Sequence, residues 1–305
     1  VMNGNSLEDC TGECGGTAIE FCEFCISFDT IVRDFETIYP SSSILQSCEN
    51  YNSIFSETYD QDLPEDGSNL SYLFYEATSP DCSVLLSAPH SQKTYRYDNT
   101  SSEECLYKET HSRDLRSGVI GLILNELTGC PVIVKKYQSD DPNYHHQIPE
   151  CTLTEAFEDN VGEMLPYKQK LYDYVSQNES IQLVMDIHGW ARTGDIDMGT
   201  MYGESLESEV GQCLPDIIEY ILLERGILSS QNITFTASEN ESVTKFVHEY
   251  IDNIVDAIQF EIESEYRDCS SDQFSELIYA FLEIIYISNH LYSSNQILTD
   301  NFPDD

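Results

Sequence analysis

The chain has 305 residues, with 14 Lys and Arg against 55 Asp and Glu, a formal net charge of −41. That surface repels phosphate backbones and anionic lipid, which excludes nucleic acid and membranes as natural partners. A hydrophobic content of 40%, with 20 Tyr and 13 Phe, excludes a disordered chain and supplies a sizeable core.

Residues 1–68 are rich in Ser, Asp and Cys and read as an N-terminal arm or appendage, with predicted helices around Thr17–Phe28 and Thr30–Tyr39. Residues 69–305 read as one α/β domain. Its first predicted strands are Ser71–Glu76 and Ser83–Ala88, the second apolar on both faces and ending on Pro89-His90. A helical segment, Leu115–Leu127, stops at Thr128-Gly129 and is followed by the strand Pro131–Lys135. After the turn-rich Ser139–Asn143, helical spacing runs from about Leu153 to Gln177. The strand Ile181–Ile187 again ends at a histidine, His188. Helices at Glu207–Arg225 and Val243–Val255, a strand at Asp256–Ile262 and a long amphipathic helix at Asp272–Tyr292 complete the series. Strands alternating with helices predict a three-layer α/β fold, its mostly parallel, mixed sheet flanked by helices.

Eleven cysteines, five of them within the first 48 residues, exceed what a cytosolic enzyme usually carries. The odd count leaves one thiol free or bonded to another chain. Only seven residues separate Cys14 from Cys22, too few for a zinc ribbon, so the cluster reads as disulfides. Asn-x-Ser/Thr occurs at Asn69, Asn99, Asn178, Asn232 and Asn240. No apolar run is long enough to span a bilayer, and a chain beginning on Val reads as a mature form whose leader has been removed. These features together predict a secreted, disulfide-bonded glycoprotein.

In open α/β sheets, reactive groups lie beyond the carboxyl ends of the strands. Here those ends carry His90, His188 and Glu261. Two imidazoles and a carboxylate suffice for a catalytic zinc with one open position, and a further carboxylate can take a proton from the attacking water. Glu109, His111 and Asp114 all lie in one segment able to supply the acidic or third ligand. His145-His146 reads as a surface pair, and His248 and His290 as structural residues on helices.

The order of short motifs resembles the N-formylglutamate amidohydrolase-like family, a branch of the zinc-carboxypeptidase-like fold. Ser87-Ala-Pro-His90 is similar to its opening S-x-P-H, Glu109–Leu115 to D-x-x-T-x-E-L, and Asp141-Pro-Asn143 to D-x-N-R. Asp186-Ile-His-Gly189 matches D-x-H-G, Asp197-Met-Gly199 resembles the x-x-L-G that follows, and Gln259-Phe-Glu261 with Arg267 resembles Q-x-E…R. The resemblance spans roughly residues 72–290. It implies one Zn²⁺ per chain held by His90, Glu109 and His188, with Glu261 as general base and Asp186 orienting a ligand. Asp141, Asn143 and Arg192 would form the substrate pocket. The implied reaction is hydrolysis of an amide near a carboxylate in a small amide or peptide.

Three departures set specificity for N-formylglutamate itself aside. Ser91-Gln92 follows His90 where the family has a Gly-rich pair, Glu109 is longer than the usual Asp, and Tyr144 replaces the motif's Arg. A second reading follows from the acidic surface, the odd cysteine and the long arm. In it, the chain is a catalytically inactive relative serving as a structural extracellular glycoprotein, forming homo-oligomers or a filament through its arm.

Overall fold

A computed structural model describes residues 18–21, 24–27, 34–57, 71–97, 107–137, 139–140, 166–190, 196–227, 229–230, 237, 242–251 and 253–299. In chain order the strands are β1 (Ala18–Phe21), β2 (Phe24–Ser27), β3 (Tyr72–Tyr75), β4 (Val84–Ala88), β5 (Thr94–Tyr97), β6 (Tyr107–His111), β7 (Val132–Lys135), β8 (Ser139–Asp140), β9 (Leu183–Trp190), β10 (Ile196–Gly199), β11 (Ser229–Ser230) and β12 (Asp256–Glu263). The helices are α1 (Phe35–Ile38), α2 (Ser41–Glu57), α3 (Ser117–Thr128), α4 (Pro166–Gln177), α5 (Glu209–Glu224), α6 (Val243–Tyr250) and α7 (Asp272–Thr299).

Among the described residues the main sheet has seven strands in the order β11-β10-β12-β9-β4-β7-β3. Its centre, β12-β9-β4-β7, is parallel throughout, while β10 and β3 run antiparallel to their inner neighbours. Alternation along the central strands sorts the side chains between two cores. Leu86, Met185, Ile258 and Phe260 face a layer made of α2, α3, α5 and α7. Leu85, Val184 and Ala257 face a smaller layer made of α4 and α6. The expected three-layer mixed α/β fold is therefore present.

The first departure from expectation lies near the amino terminus. The helix anticipated over Thr17–Phe28 is instead a hairpin, β1 antiparallel to β2, with Ile19 opposite Ile26 and Phe21 opposite Phe24. β-branched and aromatic residues at alternate positions favour that pairing over a helix. The anticipated helix at Thr30–Tyr39 reduces, among described residues, to the single turn α1, capped by Asp34, whose carboxylate accepts from the Thr37 N–H at 3.1 Å. Further along, α6 ends at Tyr250 rather than Val255, because Ile251 turns to extended backbone to feed β12. Only the end of the Leu153–Gln177 helix is described, as α4. The closing helix α7 is not simply amphipathic: a run from Leu277 to Leu282 is buried without interruption, since α2, α3 and α5 pack around it.

Part of the cysteine-rich segment belongs to this core. Ile44, Cys48 and Phe55 of α2 lie in the same buried cluster as the central strands. Cys48 is disulfide-bonded to Cys269 across 221 residues of sequence, with Cα atoms 5.7 Å apart. A second disulfide joins Cys82 to Cys130, Cα to Cα 5.4 Å, and ties the loop entering β4 to the loop entering β7. Both separations suit a disulfide. The cysteines at 10, 14, 22, 105 and 151 lie outside the described residues.

Replacing both Cys82 and Cys130 with serine should lower stability by about 2–5 kcal/mol. Thermal or denaturant unfolding under non-reducing conditions checks this; an unchanged midpoint would contradict it.

Candidate metal centre

The carboxyl ends of β4, β9 and β12 lie side by side at the middle of the sheet. Parallel register sets Ser87 beside Asp186, Asp186 beside Gln259, and His188 beside Glu261. By alternation these residues face the α4–α6 side of the sheet rather than the larger core. Two residues past β4, the turn at Pro89-His90 brings in the first imidazole. The chain then makes an excursion through the hairpin β5-β6 and returns. Its return delivers Asp114, whose N–H donates to the His90 carbonyl at 2.8 Å.

Three side-chain atoms meet there. His90 Nδ1 and His188 Nδ1 are 3.1 Å apart, with the rings edge to face. Asp114 Oδ2 lies 3.6 Å from His90 Nδ1 and 3.3 Å from His188 Nδ1. All three residues are buried. Among the described residues this is a group of His and carboxylate ligands close enough to hold one metal ion.

The far side of His188 is fixed by a ladder of hydrogen bonds. His188 Nε2 lies 2.9 Å from Asp186 Oδ2, and the Ser87 hydroxyl donates to Asp186 Oδ1 at 2.9 Å. Ser87 Oγ in turn meets the Tyr167 hydroxyl at 3.0 Å, and that hydroxyl donates to the Ile133 carbonyl at 2.9 Å. With Nε2–H turned to Asp186, Nδ1 carries the lone pair that faces His90 and Asp114. A carboxylate behind the ring also raises its basicity.

The electrostatics follow from burial against nearby charge. Burial pulls the His188 pKa down, but Asp186 and Asp114, and more weakly Glu261, outweigh it and raise it well above its ordinary value. Burial likewise pushes Asp114 up, and the bonds from His188 and His90 overcome that push and hold it well below the usual carboxylate range. Glu261, whose Oε1 accepts from Gln259 Nε2 at 2.7 Å, has its pKa raised, chiefly by burial; His188 pulls it back and Asp114 adds to the rise.

The expected site residues thus divide. His90 and His188 meet, Asp186 orients His188, and Glu261 stands on the adjacent strand with its charge coupled to both histidines and Asp114. Asp114, one of three alternatives in its segment, supplies the carboxylate of the cluster. Glu109 sits on β6 opposite Arg96, and its side chain lies outside what is described. Asp141, Asn143 and Arg192 lie outside the described residues, as do the sequons at Asn69, Asn99, Asn232 and Asn240. Asn178 follows α4, half-buried, its Nδ2 donating to the Tyr174 carbonyl at 2.6 Å. Sequence reasoning missed Ser87 and Tyr167 as the base of the ladder. The parity of Ser87 with Asp186 on neighbouring buried strands was a usable signal; Tyr167, 80 residues away on a helix, offered none.

No family model matches the chain, and no curated protein does. Several solved structures are similar. One is a gene product of Agrobacterium tumefaciens, 12% identical, TM-score 0.48, matched over 79% of this chain and 99% of its own. Another is an N-formylglutamate amidohydrolase from Ralstonia eutropha, 11% identical, TM-score 0.48, over 73% of this chain and 99% of its own. A metallo-carboxypeptidase from Pseudomonas aeruginosa is 13% identical, TM-score 0.41, over 85% of this chain and 68% of its own.

An ion entering this site must displace the protons that otherwise hold His188 and Asp114 together. Binding of a divalent ion should therefore weaken as pH falls, beginning above the ordinary imidazole range because the His188 pKa is raised. Calorimetric titration at a series of pH values tests this, and affinity constant between about pH 6 and pH 9 would contradict it.

Proposed function

We propose that the protein is a secreted, zinc-dependent amidohydrolase that cleaves an amide near a carboxylate. The observation that carries the reading is the triangle formed by His90 Nδ1, His188 Nδ1 and Asp114 Oδ2. Atoms bound at about 2.0–2.1 Å to a tetrahedral zinc are roughly 3.3–3.4 Å from one another. The three separations here, 3.1, 3.3 and 3.6 Å, bracket that value. Two imidazoles and one carboxylate form a donor set suited to zinc that leaves a position for water or substrate. The Cys48–Cys269 and Cys82–Cys130 disulfides and the sequons support an oxidising compartment. Among the described residues no helix is long and apolar enough to cross a membrane.

When bound, the ion supplies Lewis acidity, which polarises a carbonyl and acidifies water. The chain's own groups do the rest. Asp186 keeps His188 in one tautomer and one orientation, so the ligand set is organised before substrate arrives. Glu261, half-buried with one carboxylate oxygen engaged by Gln259, is the proposed base, which would take a proton from the attacking water and return it to the leaving nitrogen. Its raised pKa brings its basicity nearer to that of the groups it serves. The motif resemblance assigns Asp141, Asn143 and Arg192 to substrate, Arg192 as the group that pairs with a carboxylate.

Glu261→Gln should retain one zinc per chain while amide hydrolysis of N-acyl amino acids falls about 10²–10⁴-fold. His188→Ala should lose both the ion and the activity. Elemental analysis beside a steady-state assay separates the two variants; full activity in Glu261→Gln would remove Glu261 from the role of base.

A further inference from the structure

Arg267 is one of the few cations in a chain dominated by carboxylates, and it is buried in the turn just after β12. Its guanidinium is spent on backbone. Nε donates to the Ile262 carbonyl at 2.9 Å, Nη2 to the Trp190 carbonyl at 3.3 Å, and Nη1 to the Leu115 carbonyl. Each accepted carbonyl lies one or two residues past a residue of the site. Ile262 follows Glu261, Leu115 follows Asp114, and Trp190 lies two residues beyond His188. These three segments come from separate parts of the chain, and one planar side chain fixes them to one another.

Three independent features show that the structure is arranged around this contact. Gly189, next to His188, leaves the space the guanidinium occupies: a Cβ there would stand 2.5–2.8 Å from the guanidinium atoms of Arg267 and force them to move. Arg116 reciprocates from the Asp114 segment, its Nη1 donating to the Arg267 carbonyl at 2.9 Å. To do so it sits at the start of α3 with φ 69° and ψ 5°, left-handed backbone that a residue other than glycine seldom adopts unless its surroundings impose it. Finally, Cys269, two residues on, is tied to Cys48 of α2, so the turn bearing Arg267 is anchored from outside as well.

We propose that Arg267 is the positioning residue of this centre, setting the mutual placement of His188, Asp114 and Glu261 through the backbone that follows each of them, with Arg116 completing the clamp. The proposal rests on the metal-centre reading above. It distinguishes Arg267 from a mere counter-charge. Lysine would keep the positive charge that faces Asp114 and Glu261, but a single ammonium cannot span three carbonyls in fixed directions. Geometry would then be lost while charge is retained.

The test is Co²⁺ binding to the full chain, read by competition with a chelating dye and by the visible spectrum, which reports ligand geometry. Wild type should bind one Co²⁺. Arg267→Lys should bind it about 10–100-fold more weakly, with an altered spectrum, while still unfolding cooperatively. Wild-type affinity and spectrum in Arg267→Lys would overturn the proposal and leave the metal centre standing. Failure of the wild type itself to bind would overturn the metal centre instead, and the proposal with it. Should Arg267→Lys not fold, Arg116→Gln decides by the same readings: a perturbed spectrum supports the clamp, and an unperturbed one overturns it.

Discussion

Three electron-rich atoms packed within 3.6 Å of one another, away from water, cannot be left to themselves. Lone pairs on two imidazoles and a carboxylate repel unless a cation lies among them, whether a proton or a metal ion. The rest of this structure is organised to hold them in that position. Asp186, Ser87 and Tyr167 form a ladder that turns the His188 lone pair inward, and the ladder ends on a backbone carbonyl of β7, so it is rooted in the sheet. The raised pKa of His188 and the depressed pKa of Asp114 are two faces of one arrangement: each stabilises the charged form of the other.

The sheet makes such a site affordable. Four parallel strands, buried on both faces, give neighbouring carboxyl ends whose residues stand in fixed register. Loops can then be varied without loss of that register. The β5-β6 hairpin separates His90 from Asp114 in sequence and reunites them in space, with a backbone hydrogen bond at its neck. On the opposite face, α2 and α7 fill the larger core, and the Cys48–Cys269 bond joins that core to the turn that carries Arg267. Support for the centre is thus drawn from both layers of helices and from both ends of the chain.

Much of this was legible in the sequence, and the reasons are physical. The short apolar runs at 83–88, 181–187 and 256–262 identify buried parallel strands because both faces must be apolar, and the polar residues that end them mark the edge of the sheet where the His–Asp–His cluster lies. His90 and His188 were legible for that reason. Asp114 was narrowed only to a segment, since its selection depends on how the hairpin closes, a tertiary fact with no periodic signal. Arg267 appeared as part of a motif without a role, because its partners are carbonyls, which every residue possesses. The hairpin at Ala18–Ser27 was misread as a helix because a short stretch of apolar and β-branched residues satisfies either period until its partner strand is known.

The claim on which the account depends is that His90, His188 and Asp114 ligate one ion. X-ray absorption spectroscopy of the zinc-loaded protein at the metal edge measures it directly. The account expects one ion per chain with two imidazole nitrogens and carboxylate oxygen in its inner shell. An ion surrounded only by oxygen, or one whose imidazole scattering survives intact when His90 and His188 are both replaced, would contradict it.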